Sequence, residues 1–154
     1  MFVLKKHFGH RLRLLHWGTE QFMTEALAKM DLTASQGHIM GFLCRQSSPP
    51  CARDIELFFR LSHPTVSGIL TRLEKKGFIE FRPDDHDRRC KRIHVLPKGT
   101  ECHQRIMDAI RENEKRMMDG FTDEERQQFS AFLDRAIQNS GCECKHKPKE
   151  EPNQ

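Results

Sequence analysis

Apolar residues recur every three, four or seven positions through residues 4–30, at Phe8, Leu12, Leu15, Phe22, Ala26 and Met30. That is the period of a long amphipathic helix, which needs a surface to lie against. Asp31 and Thr33 are cap candidates for a second helix. Its stripe Ile39, Phe42 and Leu43 runs until Ser47-Ser48-Pro49-Pro50 stops it. A short third helix is predicted from about Cys51 to Phe59. Ser62 is placed to cap a fourth, with Pro64 tolerated in the first turn, where an amide has no intrahelical partner. In that fourth helix Val66, Ile69, Leu70 and Leu73 mark one narrow buried face before Gly77 ends it. This leaves Thr65, Ser67, Gly68, Thr71, Arg72, Lys75 and Lys76 outward.

After Gly77 the period becomes two: Phe78-Ile79-Glu80-Phe81-Arg82, a polar turn at Asp84-Asp85-His86-Asp87, then Cys90-Lys91-Arg92-Ile93-His94-Val95. This pattern predicts a β-hairpin with a charged tip. The helical period returns from Pro97 through Ile106, Ile110, Met117 and Phe121. Thr122-Asp123-Glu124-Glu125 opens a last helix with a capping-box signature and the face Phe129, Phe132, Leu133, Ala136 and Ile137. Residues 139–154 are polar and aperiodic and are expected to be a disordered tail. The fold class is mainly α with a small β-hairpin wing, a winged helix-turn-helix over residues 32–96 flanked by N- and C-terminal helices.

Charge sharpens the picture. The net charge of +4 over 154 residues is modest, but its distribution is not: residues 1–16 and 60–96 each carry +4, and residues 17–59 and 97–140 each carry −2. Glu74 is the only carboxylate in the fourth helix. Arginine can reach guanine O6 and N7 in a major groove, Ser and Thr bond to either base, and Gly68 lets backbone come close. His63, Thr65, Ser67, Gly68, Thr71, Arg72, Lys75 and Lys76 are therefore candidate DNA contacts from the helix. Arg82, Arg88, Arg89 and Lys91 are candidates from the hairpin, where a narrow projection suits the minor groove. The acids Asp84, Asp85 and Asp87 read as turn formers and as partners that hold those arginines.

Residues 61–99, LSHPTVSGILTRLEKKGFIEFRPDDHDRRCKRIHVLPKG, resemble the recognition helix and wing of the MarR family of bacterial transcriptional regulators. The matching elements are Pro64-Thr65-Val66-Ser67, Arg72-Leu73-Glu74-Lys75-Lys76-Gly77 and Asp87-Arg88-Arg89. The resemblance implies that Arg89 enters the minor groove and that Asp87 orients it. It also implies one MarR-like domain over 1–138, with dimerisation helices at 4–30 and 97–138, and a homodimer built from the first, fifth and sixth helices. Two recognition helices would then stand ~34 Å apart, facing double-stranded DNA with a near-palindromic operator. The chain departs from the family at Val95-Leu96, where relatives carry Leu-Thr. A threonine cap of the fifth helix is thereby lost, at a cost of ~1 kcal/mol that Pro97 partly offsets.

Other residues invite chemistry. Arg11, His16 and Trp17, with His38, are candidates for a pocket binding a small aromatic or anionic effector; packing of helix aromatics is the competing reading. Lys5, Lys6, Arg11 and Arg13 either meet DNA phosphates or are solvated. Cys90 lies among Arg88, Arg89, Lys91 and Arg92, a field that favours thiolate, although strand alternation can turn it away. Cys142, Cys144 and His146 supply three soft ligands where a structural zinc wants four. His38 and His103 suggest a metal sensor, but Met107 stands where an HxxxH pair needs its second histidine. No metal or cofactor is therefore expected. The six cysteines form no CxxC pair, which suits a reducing compartment. No apolar run approaches the ~20 residues of a membrane span, and Arg11 and Arg13 interrupt the one signal-like stretch, so a cytoplasmic protein without membrane association is expected. There is no phosphate-binding glycine loop, HExxH or GxSxG, and no enzyme is expected. A metal- or redox-responsive regulator, and a winged module for protein partners, stand as alternatives.

Overall fold

The computed structural model describes residues 7–84 and 91–141. Its elements run α1 (Phe8–Ala28), α2 (Ala34–Cys44), α3 (Ala52–Phe59), α4 (His63–Lys75), β1 (Ile79–Pro83), β2 (Lys91–Val95), α5 (Pro97–Met117) and α6 (Asp123–Asn139). The chain divides into two units, residues 1–114 and 115–154.

Unit 1 is built around one apolar core. α1 reaches it only at its C-terminal end: residues 11–18 are all exposed, whereas Leu27 and Met30 are buried. Leu27 approaches so closely that a Cβ added to Gly37 would stand 2.8 Å from its Cδ2, so α1 and α2 meet where glycine leaves room. Asp31, a cap candidate from sequence, instead lies in the turn between α1 and α2 with φ +56°. Thr33 is the true N-cap: its hydroxyl accepts the Gln36 amide N–H at 3.3 Å, and Gln36 Oε1 accepts the Thr33 N–H at 3.1 Å, a reciprocal box. α2 is buried on most of its circumference, and Ile39 and Met40 join Ile55 of α3 and Val66, Leu70 and Leu73 of α4 in the deepest layer. Phe42, Phe58 and Phe59 pack edge to face and tilted, with centroids 4.6–5.8 Å apart.

β1 and β2 pair antiparallel, with Ile79 opposite Val95, Phe81 opposite Ile93 and Arg82 opposite Arg92. Ile79 and Ile93 are buried in the core and Phe81 on the same face is half-buried, while Arg82 on the alternate face is exposed, as the sequence predicts; Lys91 shares the face of Ile93 but is exposed at the strand end. The stretch between α2 and α3 joins this sheet: Cys51 bridges Arg92, and the Pro50 carbonyl accepts the Ile93 N–H at 2.8 Å. α5 begins at Pro97 without a threonine cap, and the Leu96 carbonyl accepts N–H groups from Gly99 (2.8 Å) and Thr100 (3.0 Å). Gly99 lies against the strand. A Cβ there would overlap the Phe78 carbonyl oxygen and stand 2.8 Å from Val95 Cγ1 and 3.0 Å from Met40 Cε.

In unit 2, Phe121 leaves the helical period expected for α5, because Gly120 takes φ +79°. Its ring packs instead on Phe129 of α6, 6.1 Å between centroids. Thr122 and Glu125 form the expected capping box, and no residue of α6 is buried.

Candidate nucleic-acid interface

α4 is held at both ends. At its start Ser62 has the extended backbone of an N-cap, but its hydroxyl bonds the Thr65 hydroxyl at 2.8 Å rather than a backbone amide, unlike the side-chain cap the sequence suggests. His63 Nδ1 meets Glu56 Oε1 of α3 at 2.6 Å, tying the two helices across their turn. At its end Gly77 (φ +73°) lets its N–H reach the Glu74 carbonyl and the Phe78 N–H reach Leu73, while the buried Leu73 and Phe78 pack behind. This double bond with its apolar contact is a Schellman closure, and it needs a residue at ease with positive φ.

Between these ends Val66, Ile69, Leu70 and Leu73 are buried, and His63, Thr65, Ser67, Gly68, Thr71, Arg72 and Lys75 are exposed. Nothing lies within 4 Å of a Cβ added to Gly68, so the middle of this face is open. Arg72 and Lys75 form no ion pair with any described residue. Lys76 differs from the other candidates. Its ammonium turns back to the Asp31 carbonyl, to the Asp31 carboxylate at 3.2 Å and to Gln36 Oε1 at 3.5 Å. It clamps the end of α4 to the α1–α2 turn, and its own carbonyl is taken by Lys98 Nζ at 2.6 Å.

On the hairpin, Arg82 donates from Nε to Glu80 Oε1 at 2.6 Å, its guanidinium exposed beside the partner strand's Arg92. Arg92 is paired with the buried carboxylate of Asp84 and reaches the Pro49 carbonyl at 3.5 Å, so one acid of the turn does hold an arginine in place. Lys91 is exposed. Asp87, Arg88, Arg89 and Cys90 lie outside the described residues, as do Lys5, Lys6, Cys142, Cys144 and His146. The contacts made by Glu56, Glu80 and Lys76 escaped the sequence reading. Only Glu80–Arg82, two apart on one strand face, left a local signal.

Arg11, His16, Trp17 and His38, read from sequence as an effector site, are all exposed, Trp17 to 66%. Trp17 lies ten residues before Leu27, ~15 Å along α1 from the point where that helix meets α2. His103 is different in kind. Its Nδ1 is buried without a hydrogen-bond partner among the described residues, and burial, then the charge of Arg45, pushes its pKa down. Burial raises the pKa of the Cys44 and Cys102 thiols, keeping them protonated, and Cys102 Sγ lies 4.0 Å from Met30 Sδ. Among the described residues, no three His, Cys, Asp or Glu side chains are grouped to hold a metal ion, and no helix is long and apolar enough to cross a membrane.

Comparison with known proteins bears on this arrangement. Residues 30–89, which span α2, α3, α4 and β1, match the model of the MarR family. Three solved structures share the fold over most of both chains. MepR of Staphylococcus aureus, a transcription regulator of the multidrug efflux pump MepA, is 25% identical over 87% of this chain and 98% of its own, with a TM-score of 0.78. A Clostridium acetobutylicum protein described as a MarR family transcriptional regulator is 27% identical over 86% of this chain and 97% of its own, with a TM-score of 0.72. The likeness to the MarR family is carried in sequence by residues 30–89 and in fold by most of the chain. The MepR–DNA complex, 26% identical over 86% of this chain and 98% of MepR, has a TM-score of 0.69. No curated protein matches the chain by sequence. The six described helices and the two-stranded hairpin match the MarR winged-helix fold.

Proposed function

We propose that this chain is a dimeric, sequence-specific DNA-binding transcriptional regulator of the cytoplasm, a repressor relieved by a small aromatic or anionic effector, with no catalytic role. The observation that carries the reading is the outer face of α4: hydroxyls, an open glycine and two cations, Arg72 and Lys75, unclaimed by any described carboxylate. A merely solvated helix face more often mixes Glu with its Lys, and Glu74 is the only carboxylate in α4. Arg82 and Lys91 on the hairpin add cations suited to flanking phosphates. We assign Arg89 to the minor groove and Asp87 to its orientation, following the family resemblance.

Two apolar faces support the dimer. In unit 1, α1 exposes Phe8 to 81% with Leu12 and Leu15 on the same face, and in unit 2, α6 exposes Phe132 and Ile137. Stripes of this kind are normally covered by a partner. We therefore assign 4–30 and 97–138 to dimerisation, 32–96 to DNA and 139–154 to a tail, with a two-fold pair reading a near-palindromic operator. Arg11, His16, Trp17 and His38 would complete their effector site against that second copy.

The test begins with duplexes selected by the purified protein from a random pool, followed by titration across salt. Binding through several phosphates should weaken by ~10³-fold or more between ~50 and ~200 mM salt, and Arg72→Ala should lose ~1–3 kcal/mol and relax one base position. A flat salt response with no enriched sequence would make the winged domain a module for protein partners.

A further inference from the structure

We infer that Glu56 is a positioning residue for DNA recognition: it holds the proton of His63 on Nδ1, so that Nε2 faces outward and must take up a second proton to bind an acceptor on DNA. The inference rests on the DNA-binding reading above and assigns that surface a proton-linked contact. His63 opens α4, and its side chain is 72% exposed, whereas Glu56 is 17% exposed. The 2.6 Å contact joins Nδ1 to a carboxylate oxygen. An ionised carboxylate only accepts, so Nδ1 carries the hydrogen and the neutral ring presents a lone pair at Nε2.

Phosphate oxygens, guanine O6 and N7, and adenine N7 are all acceptors. A neutral His63 so held meets them lone pair to lone pair. With a proton from solvent on Nε2 the ring becomes a cation that donates from both nitrogens, inward to Glu56 and outward to DNA. The carboxylate thus does two things: it fixes the ring's orientation, and it makes protonation the event that switches the outward nitrogen from acceptor to donor.

The surroundings leave this pair to itself. α3 carries Arg53 and Asp54 before Glu56, the Asp54 carboxylate accepting the Cys51 N–H at 2.8 Å; Arg60 follows α3 as its C-cap, and α4 has no charged residue after His63 until Arg72. On the other elements packed against α4, α2 carries His38 and β1 carries Glu80, the latter engaged with Arg82. Among the described residues Glu56 alone lies within ion-pair distance of His63.

The experiment uses the full chain and a fluorescein-labelled duplex recovered by the wild type from a random pool, with a scrambled duplex beside it. Affinity is measured by anisotropy from about pH 8 to about pH 6, the range in which imidazoles titrate. Other histidines contribute to any such profile, so the slopes are compared. Wild type should tighten by up to about tenfold per pH unit more than His63→Gln, the signature of one proton bound with the DNA. Glu56→Gln, whose amide can donate to Nδ1 and release the tautomer, should lose part of that slope while keeping its unfolding midpoint within the reach of one surface ion pair. Long-range nitrogen–proton NMR on the DNA-free protein should find the neutral His63 ring protonated at Nδ1, with the preference lost in Glu56→Gln.

Loss of affinity on both duplexes assigns the contact to phosphate, and loss on the selected duplex alone assigns it to a base edge. Equal slopes in wild type and His63→Gln, with Arg72→Ala still weakened, would overturn the inference and leave DNA binding standing. A neutral ring protonated at Nε2 would overturn it as well. Failure of the wild type to bind either duplex would remove both.

Discussion

Replacing Gly99 by alanine should destabilise the protein, against the usual gain from removing a helical glycine. In an open helix that change favours folding by ~1 kcal/mol. At Gly99 the new methyl would collide with the Phe78 carbonyl oxygen, and that oxygen is not free to retreat, because it accepts the Leu96 N–H at 3.0 Å at the join of hairpin and α5. Val95 Cγ1 and Met40 Cε close the other sides at 2.8 and 3.0 Å, and Met40 is fully buried. Overpacking of this kind costs ~1–3 kcal/mol, and stretching the Leu96 bond adds ~1 kcal/mol. After subtracting the propensity gain, the net loss is ~1–3 kcal/mol. Gly68→Ala is the matched control: it is also helical, with nothing within 4 Å of the added Cβ, and it should stabilise by up to ~1 kcal/mol. Urea unfolding at one protein concentration, which keeps any dimer contribution constant, measures both. If Gly99→Ala moved the midpoint upward as Gly68→Ala does, the tight seat of α5 on the hairpin would be refuted.

The lysines at the end of α4 should separate by role. Lys75→Ala should reduce the salt slope of DNA binding by about one and leave the unfolding free energy nearly unchanged, whereas Lys76→Ala should lower the unfolding free energy by ~0.5–1 kcal/mol with an unchanged slope. Stability should also fall as pH drops below ~6.5, because the unfolded chain protonates His103 more readily than the native state, where burial and Arg45 oppose the charge. The folded state binds fewer protons there, so acid favours unfolding. His103→Gln should flatten that part of a pH–stability curve measured by thermal melting, and an unaltered curve would mean that the ring is solvated.

α4 could be read from the sequence because every requirement was local: four apolar residues at helical spacing, a proline in the first turn and a glycine where φ turns positive. The hairpin was equally accessible, since alternation at Ile79, Phe81 and Ile93 coincides with burial toward the core. What escaped were contacts closed by the fold. Lys76 looks like its neighbour Lys75 along the chain, and only the return of Asp31, 45 residues earlier, takes it off the exposed face. Choosing Thr33 over Asp31 as the cap of α2 depended on which of the two adopts left-handed backbone. Glu56 and His63 stand seven apart in two different helices; within one helix that spacing shares a face but separates the residues by ~10 Å, too far to bond.

Two residues between α2 and α3 have a bearing on solubility. With Pro50 and Cys51 laid along its far side, β2 is flanked at Arg92 and Ile93 by backbone on both edges. Pro49 and Pro50 have no N–H to offer, so this third ribbon cannot lengthen into a ladder that recruits further chains. The two-stranded sheet thus carries its own terminator, and strand exchange between molecules is disfavoured on that side by covalent structure.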